Sequence, residues 1–330
     1  MEENGSAKAL LLFSGSLDSQ LAACLLRRAG IAIEAVVFTN PFFDGSAALE
    51  AAQALDLPLT EIDFTARMVK ALQNDAMLDE TPADICVACH NAMIREAAER
   101  MSDFQCDFIA TGEVLNQRTP MQTQEAFEDI ETASPLAGWI VRPLSARLLP
   151  ETLPEKEQWL DRNALLDIAG PGRKQQIEQA ALLGLAIPKE NGGPTGRLID
   201  PVFAARLRDL RAHEGLQGQR ALGLLGIGRH FRLGPVTKLI VGRDENENVA
   251  LQGQAELYEL LLEMGDTPGP VGLLPIIATE DQVRLAASIC ARYGDVPAGK
   301  TSKVRVRSSR GAREVSVVPA DEKQVELLRI

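Results

Sequence analysis

"KALLLFSGSLDSQLAACLLRRAG", residues 8–30, decides the fold. Its apolar opening reads as a buried strand, and "LDSQLAACLLRRAG" reads as a helix ended by Gly30. Between them stand Ser14, Gly15 and Ser16, with Asp18 and Ser19 on the first turn of the helix. A turn of this kind collects unpaired backbone N–H groups and the positive end of the helix dipole. Serine and glycine let an anion approach that backbone closely, and the hydroxyls add donors. Asp18 would repel a phosphate chain unless it holds Mg²⁺ that bridges to the phosphates. Local sequence therefore leaves two readings: a phosphate site, or a plain helix start with Ser14 or Ser16 as cap. A Walker P-loop is excluded, because the spacing fails and no Lys-Ser/Thr pair follows.

Outward from this stretch the same alternation repeats. "IAIEAVVFT" (31–39) is a second strand broken by Asn40-Pro41, and Asp44 or Ser46 can cap the helix "AALEAAQALDL". "PLTEIDFT" is a third strand, a helical stretch follows, and "CDFIATGE" is a fourth. Repeated strand–helix units predict a doubly wound parallel α/β sheet with right-handed crossovers. Ligands of such sheets sit beyond the carboxyl ends of the strands. Ser14, Thr39 and Thr111 all fall there, which points to one crevice.

Further on the pattern becomes helical and loop-rich. "PEKEQWLDRNALLDIAG" reads as a helix pair, and "GPGRKQQIEQAALLGLAI" and "PVFAARLRDLRAHEGL" as further helices around a Pro/Gly-rich loop at 188–201. Near 230 the character shifts. "TKLIVGRDENENVAL" reads as strand, polar turn, strand, and "AELYELLLEMG" as an amphipathic helix. "LLPIIA", a helix over 280–293, "SKVRVRS" and "REVSVVPA" complete a small α+β domain. The expected divisions are 1–165, a helical and loop-rich connector over 166–228, and 229–330.

A chain of 330 residues with 45% hydrophobic and 24% charged residues is a folded protein of about two domains. The acidic start "MEENGSAKALLLF" is unlike a signal peptide, and no apolar run reaches membrane-span length, so a cytoplasmic protein without a membrane partner is expected. The net charge of −12 argues against diffuse nucleic-acid affinity. "KTSKVRVRSSRGAR" from Lys300 carries no acid, however, and Lys300, Lys303, Arg305 and Arg307 read either as an RNA-backbone contact or as a solvated edge strand.

"SGSLDS" resembles the S-G-G-x-D-S signature of the PP-loop ATP pyrophosphatases, with Ser14, Gly15, Asp18 and Ser19 on the motif and Ser16 in place of the second glycine. "DICVACHNAMIREAAERM", "FIATGEVLNQRTPMQ" and "VRPLSARLLPETLPEKEQWLDRNALLDIAG" are similar to the tRNA thiouridylase branch of that superfamily. The matching segments run from about residue 8 to 210. "GPVTKLIVGRDENENVAL" is similar to the RNA-binding module NFACT-R. The resemblance implies cleavage of ATP between its α- and β-phosphates, with Mg²⁺ at Asp18 and replacement of a uridine oxygen by sulfur. By it, Ser14–Ser19, Thr39, Thr111 and Gly112 border the nucleotide. Arg118 meets phosphate or RNA, or forms a surface salt bridge. The implied partners are tRNA and a sulfur donor, either a protein or sulfide.

Five cysteines without an export signal do not suggest a disulfide framework. Cys24, Cys106 and Cys290 read as core residues. "CVACH" at 86–90 fits a haem attachment motif, part of a metal site, or a thiol pair for sulfur chemistry. The resemblance favours the last, with Cys86 and Cys89 carrying sulfur or ligating an iron–sulfur cluster. The third cysteine such a cluster needs is expected in the Gly192-Gly193 loop, which has none; a two-thiol relay thus stands beside the cluster. Two rival functions stay open: a PP-loop ligase acting on a small carboxylate, and a nucleotide- or RNA-binding protein without catalysis.

Overall fold

The computed structural model describes residues 7–41, 43–74, 82–119, 121–132, 136–188, 200–216, 218–297 and 299–330, with the backbone alone at 74 and 82–86. The chain divides into two compact units, Met1–Asp200 and Pro201–Ile330. The 166–228 stretch is shared between them.

The first unit runs β1 (Lys8–Leu12), α1 (Leu17–Arg28), β2 (Ala32–Thr39), α2 (Ser46–Ala54), β3 (Leu59–Asp63), α3 (Thr65–Asn74), α4 (Pro82–Arg100), β4 (Phe108–Thr111), α5 (Gln124–Thr132), β5 (Ile140–Val141), α6 (Leu153–Lys156) and α7 (Lys174–Leu183). Its five strands are all parallel in the order β3-β2-β1-β4-β5, the doubly wound sheet that the alternation predicts. The step from β1 to β2 and the step from β3 to β4 run in opposite directions across the sheet. Right-handed crossovers then place α1 and α2 on one face and α3 and α4 on the other. Strand alternation agrees. Ala9 and Leu11 of β1 join the core with Leu17, Leu21 and Ala180, while the buried Leu10 points to the opposite face. β5 is only two residues long, too short to register as a strand in the sequence. "PEKEQWLDRNALLDIAG" is not a helix pair. It holds the single turn of α6, with Thr152 and Glu155 in a capping box, and a 3₁₀ turn at Arg162–Ala164. Pro154 sits in the first turn of α6, where its missing N–H costs no intrahelical bond.

The second unit runs α8 (Pro201–His213), α9 (Gln219–Leu224), β6 (Arg229–Gly234), β7 (Thr237–Val241), α10 (Glu245–Gln254), β8 (Glu259–Met264), β9 (Gly272–Pro275), α11 (Glu280–Arg292), β10 (Ser302–Ser308), β11 (Gly311–Val317) and α12 (Glu322–Leu328). Its six strands form an antiparallel sheet, β11-β10-β8-β9-β7-β6. Two elements differ from the sequence expectation. Residues 245–254 are a helix, because Asp244 accepts a hydrogen bond from the Glu247 N–H and caps it. "AELYELLLEMG" supplies strand β8 rather than a helix. Leu260 and Leu262 enter one core and Leu261 the other, so burial on both faces hides the alternation. β10 is not an edge either, since it lies between β8 and β11. Among the described residues, no helix is long and apolar enough to cross a membrane.

His230 in β6 is buried, with its Nε2 against the Leu224 and Ile227 carbonyls at 3.2 and 2.9 Å. Burial, helped by Arg206 and Lys238, holds its pKa down to about 3. A histidine depressed on folding contributes stability that is present above its ordinary pKa and is lost as pH falls through the folded value. Denaturant titrations followed in the second unit should therefore show stability draining between about pH 6.5 and pH 3, and His230→Phe should flatten that slope.

Candidate active site

Parallel strands β2, β1 and β4 end on one edge of the sheet, so Thr39, Ser14 and Thr111 come together there. The turn after β1 is held from within. The Ser14 hydroxyl donates to Ser16 Oγ at 2.9 Å, Ser19 Oγ donates to the Ser16 carbonyl at 2.9 Å, and Gln20 Nε2 donates to the Gly15 carbonyl at 2.8 Å. Gly15 has φ +75°, and a Cβ there would stand 2.3 Å from the Ala47 carbonyl oxygen at the start of α2. Gly112 is as constrained. Its Cβ would lie 2.6 Å from the Ser19 amide nitrogen, so the turn after β4 packs backbone to backbone against α1. Only glycine fits at either position. Gly112→Ala is expected to push the two turns apart and lower the thermal midpoint of the first unit, measurable by circular dichroism, because the clash is with backbone rather than with a movable side chain.

The plain-cap reading does not hold. Ser16 occupies the N-cap of α1, yet no side chain caps the helix. Asp18 is 8% exposed and its Oδ1 has no hydrogen-bond partner. Burial raises its pKa, while Arg173, the Gln117 amide and Arg118 pull in the other direction. A buried carboxylate oxygen without a partner is costly. A divalent cation answers that need, so these residues fit Mg²⁺. Arg118 accordingly lies in the field of Asp18.

Thr111 is placed differently from the expectation of a nucleotide contact. It is 2% exposed, and its hydroxyl donates to Glu113 Oε2 at 2.9 Å. Glu113 is the centre of a buried charge network that the sequence reading passed over. Its Oε1 meets His90 Nε2 at 2.8 Å and its Oε2 accepts from Arg142 Nε at 3.1 Å. Arg142 Nη1 donates to Glu131 at 2.8 Å, and the guanidinium lies 3.9 Å over the Phe127 ring. Burial alone would raise the Glu113 pKa, but His90 and Arg142 outweigh it and hold it at about 2. The network ties α4 to the strand end beside Ser19. The only sequence signal was an Arg directly after a short apolar pair, in "IVRPL".

Cys89 is buried in α4, next to His90. Position 86 is one turn before His90 on the same helix, and its side chain lies outside the described residues. So does the Gly192-Gly193 loop. Cys106 cannot complete a cluster with this pair. It follows the far end of α4, roughly 16 Å along the helix from Cys89 at 1.5 Å per residue, and its Sγ faces the Phe104 carbonyl with its pKa pushed by burial to about 11. Among the described residues no group of three or more His, Cys, Asp or Glu side chains is arranged to hold a metal ion. Of the other cysteines, Cys290 is a core residue, whereas Cys24 in α1 is only half-buried. Cys290 packs on Gly272, and burial lifts its pKa to about 12.

On the second unit, Lys303, Arg305 and Arg307 share an exposed face of β10, as alternation predicts. Acids from neighbouring strands reach them: Lys303 pairs with Glu314 at 3.4 Å and Arg307 with Glu263 at 3.1 Å. Lys300 lies exposed before the strand.

Residues 7–146, which include the turn at Ser14–Ser19, α4 and Arg142, match a family of unknown function, DUF7411. Residues 228–328, the whole antiparallel sheet with α10, α11 and α12, match the family of the NFACT protein RNA binding domain. Among curated relatives, a probable tRNA sulfurtransferase of Brevibacillus brevis is 30% identical over 146 residues, 43% of this chain and 36% of that protein. The mitochondrial tRNA-specific 2-thiouridylase 1 of Homo sapiens is 26% identical over 244 residues, 67% of this chain and 53% of that protein. A solved 4-thiouridine synthetase–RNA complex with bound ATP is 19% identical, covers 54% of this chain and 51% of its own, and has a TM-score of 0.37. The chain thus spans about a third of the length of the bacterial sulfurtransferase it matches. The likeness to tRNA-thiolating proteins that its motifs carry is borne out by the two curated relatives.

Proposed function

We propose that the chain is an ATP-dependent tRNA-modifying enzyme, a sulfurtransferase that adenylates a uridine carbonyl and replaces its oxygen with sulfur. The observation that carries this reading is the uncapped start of α1, with the buried Asp18 oxygen lacking any partner. The Ser14–Ser19 turn binds the phosphate chain through backbone amides and hydroxyls, and Thr39 and Gly112 border the nucleoside. Asp18 holds Mg²⁺, which when bound neutralises phosphate charge and polarises the reacting phosphorus centre. The base carbonyl oxygen bonds to the α-phosphorus and pyrophosphate leaves. The outer sulfur of a persulfide on Cys86 or Cys89 then bonds to the base carbon, and the oxygen departs with AMP. The other cysteine's thiolate attacks the carrier sulfur, which frees the thiocarbonyl and leaves a Cys86–Cys89 disulfide for a thiol reductant to reopen. Activation is needed because an unactivated carbonyl oxygen is a poor leaving group. The Gly192-Gly193 loop carries no cysteine in the sequence, so a two-thiol relay stands beside the iron–sulfur cluster. The persulfide's outer sulfur would come as sulfane sulfur from a donor protein's persulfide, whose own thiolate is the leaving group; free sulfide would instead attack the adenylated carbon directly, with no persulfide formed. The second unit binds RNA backbone through Lys300, Lys303, Arg305 and Arg307, with Arg118 at the phosphate end of the first. The work is done in the cytoplasm on tRNA, and the division of labour follows 1–165 for ATP and 229–330 for RNA, with 166–228 between.

Incubating the chain with labelled ATP, Mg²⁺ and bulk tRNA should release AMP and pyrophosphate and yield one thionucleoside by mass spectrometry. Cys86→Ser with Cys89→Ser should abolish the thionucleoside while ATP binding persists. An amide ligase would keep its product in that double variant, and a pure binding protein would release no AMP at all.

A further inference from the structure

One more side chain in the first unit is buried with nothing to bind. Gln176 is 0% exposed, and neither its amide nitrogen nor its amide oxygen has a hydrogen-bond partner. Buried amides are almost always satisfied, so an unused one marks a cost with a purpose. Gln176 stands in the first turn of α7. Arg173, the N-cap, and Ala180 share its face by i, i+3 and i, i+4 spacing, and Ala180 belongs to the core around α1. Arg173 is the strongest charge acting on Asp18, and its Nε is also buried without a partner. The N-termini of α1 and α7 therefore lie side by side, and neither is capped by a side chain. Two positive dipole ends and the Arg173 guanidinium stand at a carboxylate whose Oδ1 has no partner, and the unused Gln176 amide follows one turn on along the same face of α7. This collection recognises phosphate with its metal, not a base.

Topology says which phosphates. Ala169 bridges to Leu115, and the Gly170 N–H donates to the Leu115 carbonyl at 2.8 Å, so the start of α7 is tied to the chain that follows β4. β4 and β2 flank β1 on opposite sides. With the nucleoside at Thr39 on the β2 side, a phosphate chain crossing β1 reaches α7 with its far end.

We propose that Arg173 and Gln176 grip the terminal phosphates of the nucleotide and hold the pyrophosphate after cleavage, an inference that rests on the nucleotide reading of Ser14–Ser19. The Arg173 guanidinium and the Gln176 amide nitrogen donate to phosphate oxygens, and the α7 amides add to them.

Calorimetry on the full chain with Mg²⁺ and ATP, pyrophosphate or AMP tests this. Arg173→Ala and Gln176→Leu should each weaken ATP and pyrophosphate by about tenfold or more, with AMP within about twofold of the unaltered chain. Gln176→Leu should also raise the thermal midpoint of the ligand-free protein, since the unpaired amide is gone; a merely structural glutamine would lower it. Unaltered ATP and pyrophosphate binding in both variants overturns the proposal, as does an equal loss of AMP. A starting protein that takes up neither ATP nor AMP overturns the nucleotide reading itself, a distinct result.

Discussion

Glu113→Gln should destabilise the first unit by about 3–5 kcal/mol, the usual cost of removing one partner from a buried ion pair. Arg142 is 3% exposed and would keep as its charged partner only Glu131, which is itself partly exposed, while its Nη2 already lacks a partner. At about 2–4 °C per kcal/mol for a unit of this size, the thermal midpoint should fall by roughly 10 °C. The same network sets an acid limit. Glu113 has its pKa lowered from 4.5 to about 2, so its contribution is complete above the unfolded value and disappears as pH falls through the folded one. That window is about pH 4.5 to 2, and the amount is on the order of 3 kcal/mol. Circular dichroism melts across it should show the loss in the unaltered chain and not in Glu113→Gln. A variant that melts like the unaltered chain at pH 7 would show that the carboxylate is not holding Arg142.

Asp18→Asn should split stability from activity. The carboxylate is buried, its Oδ1 has no hydrogen-bond partner, and burial raises its pKa, so the fold disfavours its charged form. Neutralising it should leave the ligand-free thermal midpoint unchanged or higher. On the proposed reading Asp18 would hold Mg²⁺, and its loss should at the same time lower AMP release by about a hundredfold or more, since a metal clamp supplies several kcal/mol of transition-state stabilisation. A stability–activity trade of this sign is what a functional carboxylate gives. An Asn variant that melts lower and still cleaves ATP would return Asp18 to an ordinary helix-start residue.

The parts of this molecule that could be read from sequence are those whose causes are contiguous. The Ser14–Ser19 turn, its strand and its helix lie within one stretch, and the strand ends at Thr39 and Thr111 follow from the same alternation. What escaped depends on residues far apart. Arg142 meets Glu113 and His90 only through the pairing of β4 with β5, and Arg173 reaches Asp18 only through the packing of α7 on α1. Thr111 shows the limit of the strand-end argument: its backbone lies at the crevice, but its hydroxyl is taken by Glu113. In the second unit, α10 has little more than Asn248 and Leu251 buried, too few apolar residues to display a helical period. Its Asp244 cap was the signal that could have found it.

The cross-strand pairing of β10 changes what an ionic-strength series should report. Three cations stand on one face, yet Glu314 and Glu263 are already engaged with two of them. A nucleic-acid strand arriving there exchanges one anion for another at those positions and expels few bound counterions. The logarithmic decline of affinity with added salt should accordingly track about one displaced ion per strand rather than three, and replacing the two glutamates with glutamine should steepen it.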